Sequence, residues 1–301
     1  MCDCLVALGP TTDSGSTLFA KNSDRPPDET QRLVWSQARV DDGPFRVTHI
    51  TIDPHPTQTL GCLLSIPTWC WGAEHGVNQA GVAVGNEAVY TTLDPRAAVP
   101  ALIGMDLVRL ALERAHTASA AVDVISSLLA RYGQGGTGHD PAGASGAKPH
   151  WSSFLIADPS HAFVVETSGS EFAVEAVTEA RAISNRTTIA AFDAAHRHPR
   201  QPVHERVDPR LDASQRLLDA RPVTVESIAR HLRSHDTCGV EGWSVCMHAR
   251  DAAGALIEVT TASMIAELRA DGAHRAWVLQ GSPCERDYVQ VEIDQAISTL
   301  A

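Results

Sequence analysis

The order of periodic segments predicts an α+β protein of stacked sheets with helices outside. Three observations carry this. Short apolar runs between turn formers fill the first third of the chain, two helical faces follow, and strand-like runs then return, broken by one further helix. No internal repeat and no low-complexity linker divides the sequence, so residues 1–301 are expected to form a single domain.

The first strands are Leu5–Leu8 and Thr17–Lys21, joined across Thr11-Thr12-Asp13-Ser14-Gly15-Ser16, a cluster of turn formers. This places a hairpin almost at the first residue. Thr48–Ile52 alternates in period two, and Thr59–Ile66 and Gly81–Val89 are further strands. Met105, Val108, Ala111, Leu112 and Ala115 then share one helical face. Behind Thr117, a suitable N-cap, Ala121, Val122, Ile125, Leu128 and Leu129 share another, which Gly133 ends. Gly133–Pro149, rich in Gly, Ala and His, reads as a surface loop. Strands resume at Ser153–Ala157, Ala162–Thr167, Phe172–Val177 and Ala182–Ser184. Residues 187–222 are polar, with several Pro and Arg, and carry no clear period. A helix is expected over Val225–Arg233 behind Thr224, then strands over Ser244–His248, Ala255–Thr260, Ser263–Leu268 and Arg275–Gln280.

Composition narrows the function. The chain has 301 residues, 44% of them hydrophobic, which is ample for a large core. Basic side chains number 24 against 36 acidic, a formal charge of −12, so neither nucleic acid nor an anionic membrane surface is an expected partner. No apolar run approaches the ~20 residues that span a bilayer. The first residues lack the basic and apolar segments of a signal peptide, and the seven cysteines are irregularly spaced. Reduced thiols and a cytoplasmic location are the expectation.

Cys2 directly follows the initiator Met. A small side chain at position two permits removal of Met1, which frees two groups on one residue. The thiolate is a strong nucleophile, and an α-amine with a pKa of roughly 7.7–8 serves as a general base near neutral pH. Across the hairpin stand Lys21 and Asp24, three residues apart. A cation there lowers the thiol pKa and a carboxylate holds the ammonium; a surface ion pair closing a hairpin is the competing reading.

Several segments, in order, resemble one family. They are Cys2-Asp3-Cys4-Leu5-Val6-Ala7, Phe19-Ala20-Lys21-Asn22-Ser23-Asp24-Arg25-Pro26, Trp69-Cys70-Trp71-Gly72-Ala73-Glu74-His75-Gly76-Val77-Asn78, Gly85-Asn86-Glu87-Ala88-Val89, Gly104-Met105-Asp106-Leu107-Val108-Arg109-Leu110, Tyr132-Gly133-Gln134-Gly135-Gly136, Ile183-Ser184-Asn185 and Thr260-Thr261-Ala262-Ser263-Met264. The pattern is similar to the secernins, which belong with the C69-type dipeptidases among the N-terminal-nucleophile hydrolases. The resemblance implies a four-layer αββα sandwich. It also implies a cysteine amidohydrolase that cleaves linear amide bonds of dipeptides or N-acyl amino acids through an acyl-enzyme on Cys2. More distantly the pattern is similar to bile-salt hydrolases and penicillin V acylases. That likeness implies catalytic roles for Asp24, for Lys21 where those families carry an arginine, and for Asn78 and Asn185 as oxyanion donors. The final arginine of those families is replaced at Met264.

Trp69 and Trp71 lie in a Gly-bounded loop, and with Met264 they are read as substrate-binding; core packing is the competing reading. Cys2-x-Cys4 and Cys70 lack a second pair at zinc spacing, so no metal and no cofactor is expected. His231 and His235 are four apart without a zincin Glu between them, which reads as a solvated face. Cys246 and His248 share a strand face, either as a thiol–imidazole pair or as core. The expected partner is a small-molecule or dipeptide substrate, and a homo-oligomer is left open. Two other functions fit the same residues: an acyltransferase on this scaffold, and a non-hydrolytic secernin-like binding protein.

Overall fold

The computed structural model describes residues 1–236 and 239–293. In chain order the strands and helices are β1 (Cys2–Ala7), β2 (Thr17–Arg25), β3 (Gln31–Ser36), β4 (Phe45–Arg46), β5 (Thr51–Ile52), β6 (Cys62–Pro67), β7 (His75–Asn78), β8 (Ala83–Val89), α1 (Gly104–Arg114) and α2 (Ala118–Tyr132). There follow β9 (Trp151–Ala157), β10 (Ala162–Ser168), β11 (Glu171–Val177), β12 (Ala180–Ile183), α3 (Ala190–His196), α4 (Val203–Arg206), α5 (Asp208–Asp219), α6 (Val225–Leu232), β13 (His248–Arg250), β14 (Leu256–Leu268), β15 (Arg275–Gln280) and β16 (Val289–Glu292).

Two antiparallel sheets carry the fold. The first runs β12-β1-β2-β14-β15-β16, with β13 added to β14; the second runs β11-β10-β9-β8-β7-β6-β3. Alternation along each strand sends side chains to two faces. From β1, Cys4 and Val6 pack with Phe19, Leu63, Val77, Ala83 and Leu155 between the sheets. Leu5 and Ala7 pack the other way, with Leu218, Ile228 and Leu232 of α5 and α6. The far face of the second sheet packs Leu64, Val84, Phe154 and Ile156 against Leu107, Val108, Ala111 and Leu112 of α1 and Ile125 of α2. The result is the expected α+β sandwich of four layers, αββα.

Both faces of the central strands are covered, so β1 and β2 are buried throughout their length. Gly85 on β8 shows how closely the sheets approach. A Cβ at that position would stand 2.8 Å from the sulfur of Cys4 and 2.8 Å from Cδ of Lys21.

The departures from expectation have local causes. Only Thr51 and Ile52 of Thr48–Ile52 pair as a strand, because Thr48 turns to donate its hydroxyl to Asp106 at 2.6 Å. Gly81–Val89 opens in a turn, with Gly81 at φ +79°, and is a strand from Ala83 as β8; His75–Asn78 before it forms a further strand, β7. Ser244–His248 is irregular up to His248, where β13 begins. The two strands expected over 255–268 are one long strand, β14, with a register shift between Thr260 and Ala262. The unreadable stretch 187–222 holds α3, α4 and α5. Among the described residues no helix is long and apolar enough to cross a membrane.

Gly85→Ala should therefore destabilise the protein by about 1–3 kcal/mol, since a methyl there forces the sheets apart. Urea denaturation measures this; an unchanged midpoint would show that the sheets do not meet at Gly85.

Candidate functional site

The site is built at the Cys2 end of β1. Cys2 is opposite Ser23 of β2 and is 5% exposed. Its sulfur lies 3.9 Å from the Ser23 hydroxyl and 4.0 Å from the Asp24 carbonyl oxygen. Its backbone N–H donates to Asn185 Oδ1 at 2.8 Å, and its carbonyl accepts from Ser184 Oγ and Arg210 Nη1, each at 3.2 Å. Burial pushes the thiol pKa up to about 12; the Lys21 ammonium pulls it back, and Glu87 adds to the rise.

Lys21 and Asp24 do not share a face. Three residues is an odd offset along a strand, so they point to opposite sides of the sheet. Lys21 lies fully buried between the sheets, where Nζ donates to the Asn86 carbonyl at 2.6 Å and stands 3.4 Å from Glu87 Oε1. Burial works against its charge, but Cys2 and Glu87 carry its pKa well above the ordinary value. Asp24 faces the α5 side. Its Oδ1 accepts from Thr260 Oγ1 at 2.7 Å, and its Oδ2, buried and without a hydrogen bond, stands 4.0 Å from Arg210 Nη1. Burial raises its pKa to about 7 against the pull of the terminal ammonium and Arg210. Burial likewise raises Glu87 to about 7 in spite of Lys21.

Arg210, 1% exposed on α5, organises this end of the sheet. Besides the Cys2 carbonyl it binds the Asp3 carboxylate and donates Nη2 to Asn185 Oδ1 at 2.9 Å. Asn185 Oδ1 thus receives two donors, Cys2 N and Arg210. Its amide nitrogen donates one N–H to the Ala88 carbonyl at 3.1 Å and has a second to give. So Asn185 meets Cys2 as expected, but through its oxygen.

Around the Met1 end the site has a distinct wall. The Met1 ammonium donates to the Asp24 carbonyl at 3.2 Å and to Glu258 Oε2 at 3.4 Å. The Met1 side chain packs on Trp243, Met247 and Ala249. Tyr90, whose phenol burial and Glu258 together keep protonated to higher pH, begins a cleft of about 380 Å³ that also holds Lys148, His198 and Arg200. On the inner side Gln31 donates to the Ser23 hydroxyl at 2.9 Å and to Thr261 Oγ1 at 2.8 Å.

Three expected site residues lie elsewhere. Asn78 is fully buried, with its amide nitrogen on the carbonyls of Leu112 and Ala115 and its oxygen on the N–H groups of Ala80 and Val82. It closes the end of α1 and the β7–β8 turn, and it has nothing left for an oxyanion. Trp71 stacks beneath Arg109, 4.1 Å from ring centroid to guanidinium carbon, on the helical side of the second sheet. Met264, in register with Lys21, packs in the apolar layer between the sheets. Trp69 remains at the β2 end of the site, donating to Glu29 beneath Arg25. Nothing in the sequence marks Arg210 or Glu258: one lies in the aperiodic stretch 187–222, the other within the expected strand Ala255–Thr260. Glu87 lies in Gly85-Asn86-Glu87-Ala88-Val89, and only the sheet-to-sheet contact with Lys21 gives it a role.

One group outside the site has the donors for a metal. His235, Cys246, His248 and Cys284 bring one ligand atom each within 4.8 Å of one another. His235, which reads in sequence as a solvated helix face, lies past the end of α6.

No protein-family model matches the chain. Among solved structures it is similar to penicillin V acylase from Agrobacterium tumefaciens, at a TM-score of 0.59 and 12% identity, covering 97% of this chain and 86% of that one. It is also similar to the C2A variant of conjugated bile acid hydrolase from Clostridium perfringens, at a TM-score of 0.53 and 10% identity, covering 98% and 93%. At these identities the likeness is one of fold: the chain has the αββα fold of the N-terminal-nucleophile hydrolases.

Two outcomes follow from the buried charges. Arg210→Met should cost about 3–5 kcal/mol, because Asp3 and Asp24 lose their buried cation; calorimetry checks this, and a near-neutral change would refute the pairing. The second is a pH dependence. Asp24 and Glu87 have folded pKa values of about 7, above the roughly 4 of an unfolded carboxyl. Each keeps its proton longer when folded, so its contribution is complete below about pH 4 and is lost as pH rises through about 7. The urea midpoint should fall between about pH 4 and 7 and level off above that, and Asp24→Asn should flatten the slope.

Proposed function

We propose that the chain is an N-terminal-cysteine amidohydrolase of the secernin and C69 dipeptidase type, acting on linear amide bonds of small substrates, dipeptides before N-acyl amino acids. The observation that carries the reading is the seat of Met1. Its ammonium is held by Glu258 and the Asp24 carbonyl, and its side chain lies on Trp243, Met247 and Ala249. Met1 is an aminoacyl group joined to the nitrogen of Cys2. The same group joined to the sulfur of Cys2 is the acyl-enzyme of an aminoacyl substrate, and it spans to the same wall. Glu258 supplies a carboxylate for a substrate ammonium. The cleft with Lys148 and Arg200 offers positive charge to the carboxylate of a leaving amino acid.

In this reading Met1 is removed first. Cys2 N then becomes an amine in place of an amide, held by Asn185 Oδ1 beside Asp24. The amine takes the thiol proton as sulfur attacks the substrate carbonyl. The free N–H of Asn185 is the donor best placed for the oxyanion, and Lys21 offsets negative charge on the sulfur from within the sheets. The proton then passes to the departing amine, and the C–N bond breaks to leave a thioester. Water adds to the thioester, giving its proton back through the α-amine, and the acid product leaves with Cys2 restored.

Intact-mass measurement and a substrate panel test this together. Active protein should begin at Cys2, and Cys2→Ala should lose at least about 10³-fold in kcat/KM. Dipeptides should be cleaved well ahead of their N-acetylated forms. Glu258→Gln should raise KM for dipeptides about 10-fold or more with a smaller change in kcat. Full activity with Met1 retained, or equal turnover of N-acetylated substrates, would sink the reading.

A further inference from the structure

A group of side chains away from Cys2 has the composition and spacing of a closed metal site. His235 follows α6, Cys246 and His248 flank Met247 at the start of β13, and Cys284 lies in the β15–β16 connection. Cys246 Sγ is 3.6 Å from His248 Nε2, and His248 Nε2 is 3.2 Å from Cys284 Sγ. The rings of His235 and His248 meet edge to face, with centroids 5.1 Å apart. All four ligand atoms fall within 4.8 Å of one another. Around a tetrahedral Zn²⁺, with Zn–S of about 2.3 Å and Zn–N of about 2.0–2.1 Å, ligand atoms stand roughly 3.3–3.8 Å apart. The two separations above lie close to that range, and one at the 4.8 Å limit needs about 1 Å of contraction, within reach of a side-chain rotation.

We propose that His235, Cys246, His248 and Cys284 form a structural zinc site. Two thiolates and two neutral imidazoles balance a divalent charge and are a soft to borderline donor set, which suits zinc and excludes magnesium or calcium. Four protein ligands fill a tetrahedron, so the metal has no open position for water and does not act on substrate. A cleft of about 680 Å³ lined by His235, Ser244, His248 and Arg250 gives solvent and metal a way in. The ligands come singly from three segments, apart from Cys246-x-His248, and this is why no paired spacing marks the site in the sequence.

The site acts by position. Its bonds tie the end of α6 and the β15–β16 connection to the segment that carries Met247. Met247 N donates to Thr260 Oγ1 at 2.9 Å, and Thr260 Oγ1 donates to Asp24 Oδ1 at 2.7 Å. Met247 is also part of the apolar wall beneath Met1. A metal there fixes both the wall and the Asp24 carboxyl without touching either.

The proposal stands independently of the reaction at Cys2, and its test is spectroscopic. The full-length protein, purified without chelator, should carry about one zinc per chain by elemental analysis. Replacement by Co²⁺ should give the visible bands and thiolate charge-transfer absorption of a tetrahedral Cys₂His₂ site. Cys284→Ser should weaken the charge-transfer band, and His235→Ala should lower Co²⁺ affinity at least about 10-fold. Both residues are exposed, so these variants should fold. Cys70→Ser, outside the cluster, should leave the spectrum intact. Chelation should lower the melting temperature of the parent but not of Cys284→Ser. A metal-free protein that gives no tetrahedral spectrum on Co²⁺ titration would overturn the proposal. So would a Cys246–Cys284 disulfide found by non-reducing peptide mapping.

Discussion

The buried guanidinium of Arg210 is the contact on which the Cys2 end of the molecule depends. A strand that starts at residue 2 would ordinarily fray. Here the Cys2 carbonyl, the Asp3 carboxylate and the Asn185 oxygen all converge on one side chain from α5, and Asp24 lies 4.0 Å away. Burying an arginine is costly unless its donors are used. Its donors go to the Cys2 carbonyl, Asp3, Asn185 and the Arg206 carbonyl, so the cation and its partners each depend on the other. The terminus is ordered because the helix layer reaches through to hold it.

The parity of the β2 strand then divides the site into two charge systems. Inside, between the sheets, Lys21 meets Glu87 and the Cys2 thiol. Outside, beneath α5, Asp24 meets Arg210 and Thr260. Cys2 is placed so that its sulfur faces the first and its backbone the second. A thiol alone in this burial would hold its proton, since the apolar surroundings disfavour a thiolate more than Lys21 favours it. Any chemistry at the sulfur therefore requires a proton acceptor beside it, and in the proposed form without Met1 the nitrogen of the same residue is an amine that can serve.

Much of the fold was legible, because period-two and period-3.6 patterns survive wherever an element has one buried face. The α1–α2 pair follows its apolar residues closely, and so do β9 through β12. Legibility failed where polar residues are buried for a purpose. Arg210 sits in a helix rich in charge, and nothing in its neighbours marks it as 1% exposed. Asn78 shows the converse error. Its glycine-flanked segment resembles an oxyanion motif, but in the fold that segment turns its amide to the helix layer. Cys2 is marked in the sequence by its position, Lys21 and Asp24 by their charge across the hairpin, and Asn185 by the resemblance; which atom of each neighbour faces Cys2 comes only from the fold.

The wall formed by residues 243–249 joins the Met1 end of the site to the group of His235, Cys246, His248 and Cys284. Trp243, Met247 and Ala249 make a floor for Met1, while the residues on either side of Met247 turn away toward His235 and Cys284. This segment is irregular before β13, so no hydrogen-bond ladder fixes it until His248. Its order comes from scattered backbone bonds, such as Cys246 N to the Ser234 carbonyl at 3.0 Å and Thr260 N to the Met247 carbonyl at 3.1 Å, and from side chains: the bond from Met247 N to Thr260, the Cys246–His248–Cys284 cluster, and Arg206 stacked 4.4 Å over Trp243. A pocket built on such a segment can change its shape by small substitutions without disturbing either sheet. In the proposed function, the sandwich holds Cys2 rigidly and this outer segment is where selectivity among amide substrates is set.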